Sequence, residues 1–140
     1  MQVTPYLSFN GDCEAAFTFY ERCFGATIGA MFRYGGSPMA NQAPAGSPDK
    51  IMHGSVTIGD LVLNGADAPM DSYEEPRGFS LSIQVKRVDE ADRIFRDLAD
   101  GGRVVVPLEQ TFWAARFGMV IDRFGIPWMI NCEIAAVNAA

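Results

Sequence analysis

Histidine is almost missing from this chain: 140 residues carry only one, His53, so any site here can draw on a single imidazole. Cysteine is scarce as well. Cys13, Cys23 and Cys132 are odd in number and widely spaced, which gives neither a disulfide framework nor a C-x-x-C zinc pair. Buried, reduced thiols are the expectation. Basic residues are outnumbered, 11 Lys and Arg against 17 Asp and Glu, for a net charge of −6. That balance opposes binding to nucleic acid or to an anionic membrane, because both need a basic face. No apolar run reaches the length of a bilayer crossing, and the N-terminus has no charged region followed by an apolar one. A cytoplasmic protein is therefore expected. What is present is an ordinary globular composition, 49% hydrophobic and 20% charged, which suits a packed core. The length fits one domain, or two small halves sharing a core.

Periodicity supplies the organisation. Thr4 to Phe9 alternates and reads as a strand, after which Asn10-Gly11-Asp12 turns the chain and Asp12 is placed to cap a helix. From Cys13 to Phe24 apolar residues recur at helical spacing, and Gly25 supplies the stop. Ala26 to Arg33 suits a strand, and Tyr34 to Lys50 is a long loop rich in Gly, Pro and Ser. Ile51 to Ile58 and Leu61 to Asn64 are strands joined at Gly59-Asp60, and Gly65 to Gly78 is loop. Phe79 to Lys86 alternates as a half-buried strand, Asp89 to Asp100 is a helix stopped by Gly101-Gly102, and three strands follow: Arg103 to Pro107, Ala114 to Asp122 and Pro127 to Glu133. The order β-α-β-β-β is thus given twice, over about residues 1–67 and 78–134. Leu7-Ser8-Phe9, Glu14-Ala15, Phe19 and Gly25 match Ile83-Gln84-Val85, Glu90-Ala91, Phe95 and Gly101 at equal spacing, which supports duplication. One helix per half covers one sheet face and leaves the other for a pocket or a partner.

Two stretches carry a resemblance. Pro5-Tyr6-Leu7-Ser8-Phe9-Asn10-Gly11-Asp12, with Glu14-Ala15, Phe19-Tyr20 and Phe24-Gly25, resembles the opening of PhnB-like proteins of the vicinal-oxygen-chelate (glyoxalase/bleomycin resistance/dioxygenase) superfamily. Gln110-Thr111-Phe112-Trp113-Ala114, Phe117-Gly118, Asp122, Phe124-Gly125 and Pro127-Trp128-Met129-Ile130-Asn131 resemble their closing signature, and Met52-His53 also fits. The resemblance spans nearly the whole chain. It implies a single α+β domain, 1–140, whose two βαβββ modules form curved mixed sheets around a cleft, and protomers that pair as a homodimer. A methyltransferase label sometimes attached to such proteins is not supported, since the Gly-rich loop and parallel α/β pattern of that class are lacking.

The superfamily's enzymes hold a divalent cation with His and Glu side chains facing the cleft. By this resemblance the ligand positions fall near Pro5, Leu63 or Asn64, Phe79 and Met129, which are poor donors as a set. No metal or other cofactor is expected, with a divalent metal as the alternative. His53 has two readings. It is either a pocket base or an unconventional ligand together with Asp67, or a hydrogen-bonded histidine at a strand start or dimer seam. The second is favoured because no nucleophile or second base is fixed near it. Asn64 and Phe79 are further candidates for touching a ligand. Phe112, Trp113 and Trp128 are candidates to stack on a planar one, against core packing, which is favoured for Trp128. Arg116 is a candidate for an anionic group, against a surface ion pair, which is favoured. Asp122 is expected to shape a turn. The resulting expectation is a dimeric domain that binds a small, partly aromatic or anionic molecule. The alternative is a lyase, isomerase or dioxygenase, metal-dependent or using His53 as acid–base catalyst.

Overall fold

The computed structural model of the chain describes residues 1–44 and 47–134, so two positions of the expected loop from Tyr34 to Lys50, and the last six residues, lie outside it. It divides into two compact units, Met1–Glu75 and Pro76–Ala140.

The first unit runs β1 (Tyr6–Phe9), α1 (Cys13–Phe24), β2 (Thr27–Arg33), β3 (Ile51–Ile58) and β4 (Leu61–Asp67), with a short 3-10 turn at Ala40–Gln42. Its sheet has the order β1-β4-β3-β2. β1 lies parallel to β4, and the other pairs are antiparallel. Cys13, Ala16, Phe17, Tyr20 and Cys23 recur every three or four residues, so they form one stripe on α1 and all are buried. The stripe meets Leu7, Phe9, Val56 and Leu63 from the sheet, all at most 2% exposed. Gly54 and Gly65 are register partners. A Cβ at Gly65 would lie 3.1 Å from the Phe17 ring, and one at Gly54 3.3 Å from it. The glycine pair is therefore a notch that admits the Phe17 ring. Gly25, at φ 70, ends α1 with its N–H on the Glu21 carbonyl.

The second unit repeats the topology: β5 (Leu81–Val85), α2 (Val88–Ala99), β6 (Arg103–Glu109), β7 (Ala114–Ile121) and β8 (Pro127–Glu133), in the sheet order β5-β8-β7-β6 with β5 parallel to β8. Ala91, Ile94, Phe95 and Leu98 form the buried stripe of α2. Here too a helix phenylalanine enters a glycine notch, since a Cβ on Gly118 would stand 2.8 Å from the Phe95 ring. The doubled βαβββ order expected from periodicity is the order observed. The fold is α+β, two four-stranded mixed sheets each covered on one face by one helix.

Three local expectations are corrected. β4 runs on to Asp67 rather than stopping at Asn64, because β1 pairs along it as far as Phe9 opposite Asp67. β5 begins at Leu81, and Phe79 lies ahead of it in irregular backbone after Gly78 at φ 79. Asp12 makes no side-chain capping bond to α1. The Cys13 N–H at the start of that helix is taken by Asp67, a residue 54 positions away, at 2.9 Å.

Asp67 is 1% exposed and does more than cap. Its second carboxylate oxygen accepts the Ile51 N–H at 2.8 Å, and its main-chain carbonyl accepts the Tyr34 hydroxyl at 2.8 Å. One side chain thus ties the N-terminus of α1 and the start of β3 to the end of β4. Replacing an acceptor oxygen by an amide donor sets N–H against N–H in a dry site, and a bond to a charged group contributes about 1.5–3 kcal/mol. Asp67→Asn is expected to lower unfolding stability by about 2–3 kcal/mol, read as a lower urea midpoint at unchanged m-value.

Candidate functional site

Each sheet has a face turned away from its helix, and those faces carry the candidate chemistry. In the first unit Leu7 and Phe9 point to α1, so alternation sends Tyr6 and Ser8 to the other side. Tyr6 pairs with Asn64, and Asn64 with Ser55, which places all three on the open face. Continuing the β3–β4 register one residue beyond Gly54 and Gly65 sets His53 beside Ala66. His53 also pairs directly with Phe32 of the edge strand β2.

These positions build one cluster. The Tyr6 hydroxyl lies 3.2 Å from His53 Nδ1, reaching across β4 from its place opposite Asn64. The Tyr6 and His53 rings are 5.7 Å apart at 35°, and the Phe32 ring stacks on the other side of His53 at 6.4 Å and 26°. Tyr6 and Phe32 remain 55% and 56% exposed. Partial burial, with the Cys13 sulfur nearby, raises the Tyr6 pKa above its ordinary value, so the phenol keeps its proton. Asn64 sits at the edge of the cluster, donating to the Thr4 hydroxyl at 3.2 Å.

The second unit presents a different open face. Leu81, Ile83 and Val85 pair with Trp128, Ile130 and Cys132 on the α2 side. Ser82, Gln84, Met129 and Asn131 therefore occupy the other side, with Phe117 and Met119 of β7 as their register partners. Asn131 donates to Gln84 at 2.8 Å. Trp113 meets Phe117 at 5.4 Å and 60°, and Phe112 packs edge-on against Trp113 at 4.9 Å and 78°. The Thr111 hydroxyl holds this corner by accepting the N–H groups of Trp113 and Ala114 at 3.3 and 3.0 Å. Phe112 is 92% exposed and Trp113 50%.

The remaining expected residues are placed elsewhere. Asp67, paired in expectation with His53, has both carboxylate oxygens engaged by backbone N–H groups in the core. Trp128 is 3% exposed and donates its indole N–H to Asp122 at 2.9 Å, which leaves it no face for a ligand. Asp122 shapes the turn as expected, accepting from Phe124 and Ile126. Arg116 points to the helix side, where it pairs with Asp92 of α2 at 3.1 Å. Phe79 is exposed in the segment before β5. Tyr6, Phe32 and Phe117 were not singled out by sequence. The available signal was alternation, which turns Tyr6 outward although a strand flanked by Leu7 and Phe9 has no packing need for it there.

A recess of about 450 Å³ opens beside the start of α1, lined in part by Gly11, Glu14, Lys50 and Asp67. Its Lys50 and Glu14 are both matched within the fold. Lys50 donates to the Gly11 carbonyl at 2.7 Å, and Arg33 grips both Glu14 oxygens at 3.2 and 2.9 Å, which lowers the Glu14 pKa. Burial, reinforced by Asp67, pushes the Cys13 thiol well up, so it is no nucleophile. For the divalent cation implied by the resemblance the donor set does not fit. Among the described residues no three His, Cys, Asp or Glu side chains are grouped to hold an ion. Leu63 is fully buried under α1, and Met129 offers only a thioether. No helix among the described residues is long and apolar enough to cross a membrane.

Comparison with known proteins gives a consistent picture. The model of the Glyoxalase/Bleomycin resistance protein/Dioxygenase superfamily matches residues 2–130. Protein YjdN of Escherichia coli (strain K12) is 37% identical over 139 residues, covering 94% of this chain and 95% of its own. The crystal structure of protein PA1353 from Pseudomonas aeruginosa superposes with a TM-score of 0.83 at 45% identity, covering 95% of this chain and 98% of that one. A PhnB protein from Bacillus cereus, whose name also carries a 3-demethylubiquinone-9 3-methyltransferase label, shares the fold with a TM-score of 0.82 at 21% identity, covering 95% of this chain and 100% of that one.

The two tryptophans are placed oppositely, one in the core and one on the open face. With Trp128→Phe, emission from Trp113 is expected to be red-shifted and readily quenched by acrylamide. With Trp113→Phe, emission from Trp128 is expected to be blue-shifted and protected. Equal quenching of the two would contradict the placement.

Proposed function

We propose, from the premise that the chain belongs to the glyoxalase/bleomycin resistance protein/dioxygenase superfamily, that it binds a small, partly aromatic or anionic molecule on these open faces without a divalent cation. The observation that carries the proposal is the Tyr6–His53–Phe32 cluster, in which one imidazole stands between two exposed aromatic rings. A contiguous group of exposed rings is a common mark of a binding surface, and the arrangement offers a planar ligand both a stacking face and a hydrogen-bonding nitrogen. Phe112, Trp113 and Phe117 supply a second stacking surface in the other unit. Asn64 belongs to the proposed contact set through its place beside Tyr6. Asp67 anchors β3 behind the first face, and Arg116 and Trp128 are held to Asp92 and Asp122 within the second unit.

The proposal includes a cytoplasmic homodimer. Three free, buried cysteines suit a reducing compartment. β6 is an edge strand, and Val104, Val105 and Val106 on it are 46%, 46% and 36% exposed. An uncovered apolar edge is an aggregation hazard that a partner chain removes. The methyltransferase label of the Bacillus relative does not suit this chain, since mixed sheets without a Gly-rich loop after the first strand give no nucleotide-type site.

One further reading has an observation in its favour. Acid–base catalysis by His53 is the second reading, and it requires the arrangement of the Tyr6 contact in which Nδ1–H donates to the Tyr6 oxygen and leaves Nε2 bare as the base. A metal-dependent lyase, isomerase or dioxygenase has no such support from the donor set.

Binding is tested by calorimetric titration with aromatic carboxylates such as benzoate and salicylate. His53→Ala is expected to weaken binding at the first unit's face, and Trp113→Ala binding at the second unit's face, each about tenfold, the equivalent of roughly 1.4 kcal/mol. Metal analysis of protein prepared without chelators is expected to find no stoichiometric divalent ion, and one ion per chain would overturn the cation-free reading. Val105→Lys is expected to convert a dimer to monomer in light-scattering chromatography, while a native monomer at high concentration would remove the homodimer from the proposal.

A further inference from the structure

A neutral imidazole has one N–H and one bare nitrogen, and the partner of one nitrogen decides what the other offers. At His53 that partner is the Tyr6 hydroxyl, 3.2 Å from Nδ1. Two arrangements fit this distance. Either the phenol O–H donates to a bare Nδ1, or an Nδ1–H donates to the phenol oxygen.

Chemistry separates them. A bare imidazole nitrogen is a stronger acceptor than a phenol oxygen, whose lone pair is drawn into the ring. A phenol O–H is in turn the stronger donor. Among the described residues the Tyr6 hydroxyl has no second hydrogen-bond partner, so in the reverse arrangement its proton would turn to solvent and exchange an imidazole nitrogen for the weaker acceptor water. The raised Tyr6 pKa keeps that proton in place. The ring is also held in orientation, with Tyr6 on one side and Phe32 on the other.

We infer that Tyr6 is a positioning residue that fixes His53 in the Nε2–H tautomer. The open face then presents one directed N–H donor and selects planar ligands that bring an acceptor oxygen, a ring-borne carboxylate or carbonyl. The choice of ligand class rests on the binding reading above, whereas the tautomer does not. Phe32 and Tyr6 supply the apolar flanks, and the donor between them decides which polar group is accepted. A ligand offering only donors would set N–H against N–H in this place.

His53 is the sole histidine, so its ring nitrogens can be read without assignment ambiguity. The test is long-range proton–nitrogen NMR of uniformly labelled protein, on the high-pH plateau of the imidazole titration. The expected spectrum has a bare Nδ1 and a protonated Nε2. In Tyr6→Phe the ratio of Nε2–H to Nδ1–H tautomer is expected to fall about threefold to tenfold, as loss of one hydrogen bond implies. A native protein dominated by Nδ1–H, or a ratio unmoved by Tyr6→Phe, overturns the positioning role.

The ligand arm uses two probes of like shape, benzoate with an acceptor group and benzamidine with a donor group. Benzoate is expected to shift the Nε2 resonance and to bind at least tenfold tighter than benzamidine. It is expected to bind about threefold to tenfold more weakly to Tyr6→Phe. The net charge of −6 favours the cationic probe in general, so a benzoate preference would report the local donor. Benzamidine binding as tightly overturns the acceptor selection. The Nε2–H tautomer with neither probe bound overturns the ligand class and the binding reading together, and leaves the role of Tyr6 standing.

Discussion

The carboxylate of Asp67 is the constraint on which the first unit depends. It closes three elements at once, taking the Cys13 N–H of α1 and the Ile51 N–H of β3 from its own place at the end of β4. Without an acceptor there, two backbone donors would be stranded in a dry interior, at a cost of about 1–3 kcal/mol each. The consequence reaches the open face. Ile51 is two residues before His53, so the clasp that anchors the start of β3 also sets where the imidazole stands. The hydroxyl of Tyr34 on the Asp67 carbonyl completes the closure from the loop side.

The candidate chemistry follows from what the helices leave uncovered. Each helix packs a phenylalanine into a glycine notch, Phe17 over Gly54 and Gly65 and Phe95 over Gly118, so each helix lies close on one sheet face. The opposite faces have no such cover within their own unit, and there the side chains change character. One carries an imidazole between aromatic rings, the other an aromatic corner beside Met119, Met129 and the Gln84–Asn131 pair. The same topology, used twice, has been given different equipment. Neither face carries the grouped His, Cys, Asp or Glu donors of a metal centre among the described residues, which is why the proposed chemistry is stacking and a single hydrogen bond.

Much of this was legible in the sequence because it is local. The helix from Cys13 to Phe24 follows from apolar spacing and a terminal glycine, and the hairpin at Gly59-Asp60 from its turn residues. The turn at Asp122 was equally readable, since an Asp two residues before Phe124-Gly125 can accept the N–H groups the turn exposes. The favoured readings of Arg116 as an ion pair and of Trp128 as core agree with their contacts to Asp92 and Asp122. Asp67 was misplaced because an acidic residue near a lone histidine reads as a ligand pair. Its actual partners are backbone groups 16 and 54 positions distant, which no local pattern marks.

The chain's sequence by itself determined the doubled βαβββ order, the two apolar helix faces and the presence of a single imidazole. All of these depend on spacing within about a dozen residues or on composition. Tertiary structure alone decided that Tyr6 reaches His53 across β4, that Phe32 stacks on its far side and that Phe117 joins Trp113. The reason is physical. A strand's alternation says which residues share a side, but sheet order and register say which of them meet, and Tyr6 of β1 meets His53 of β3 because only β4 lies between the two strands.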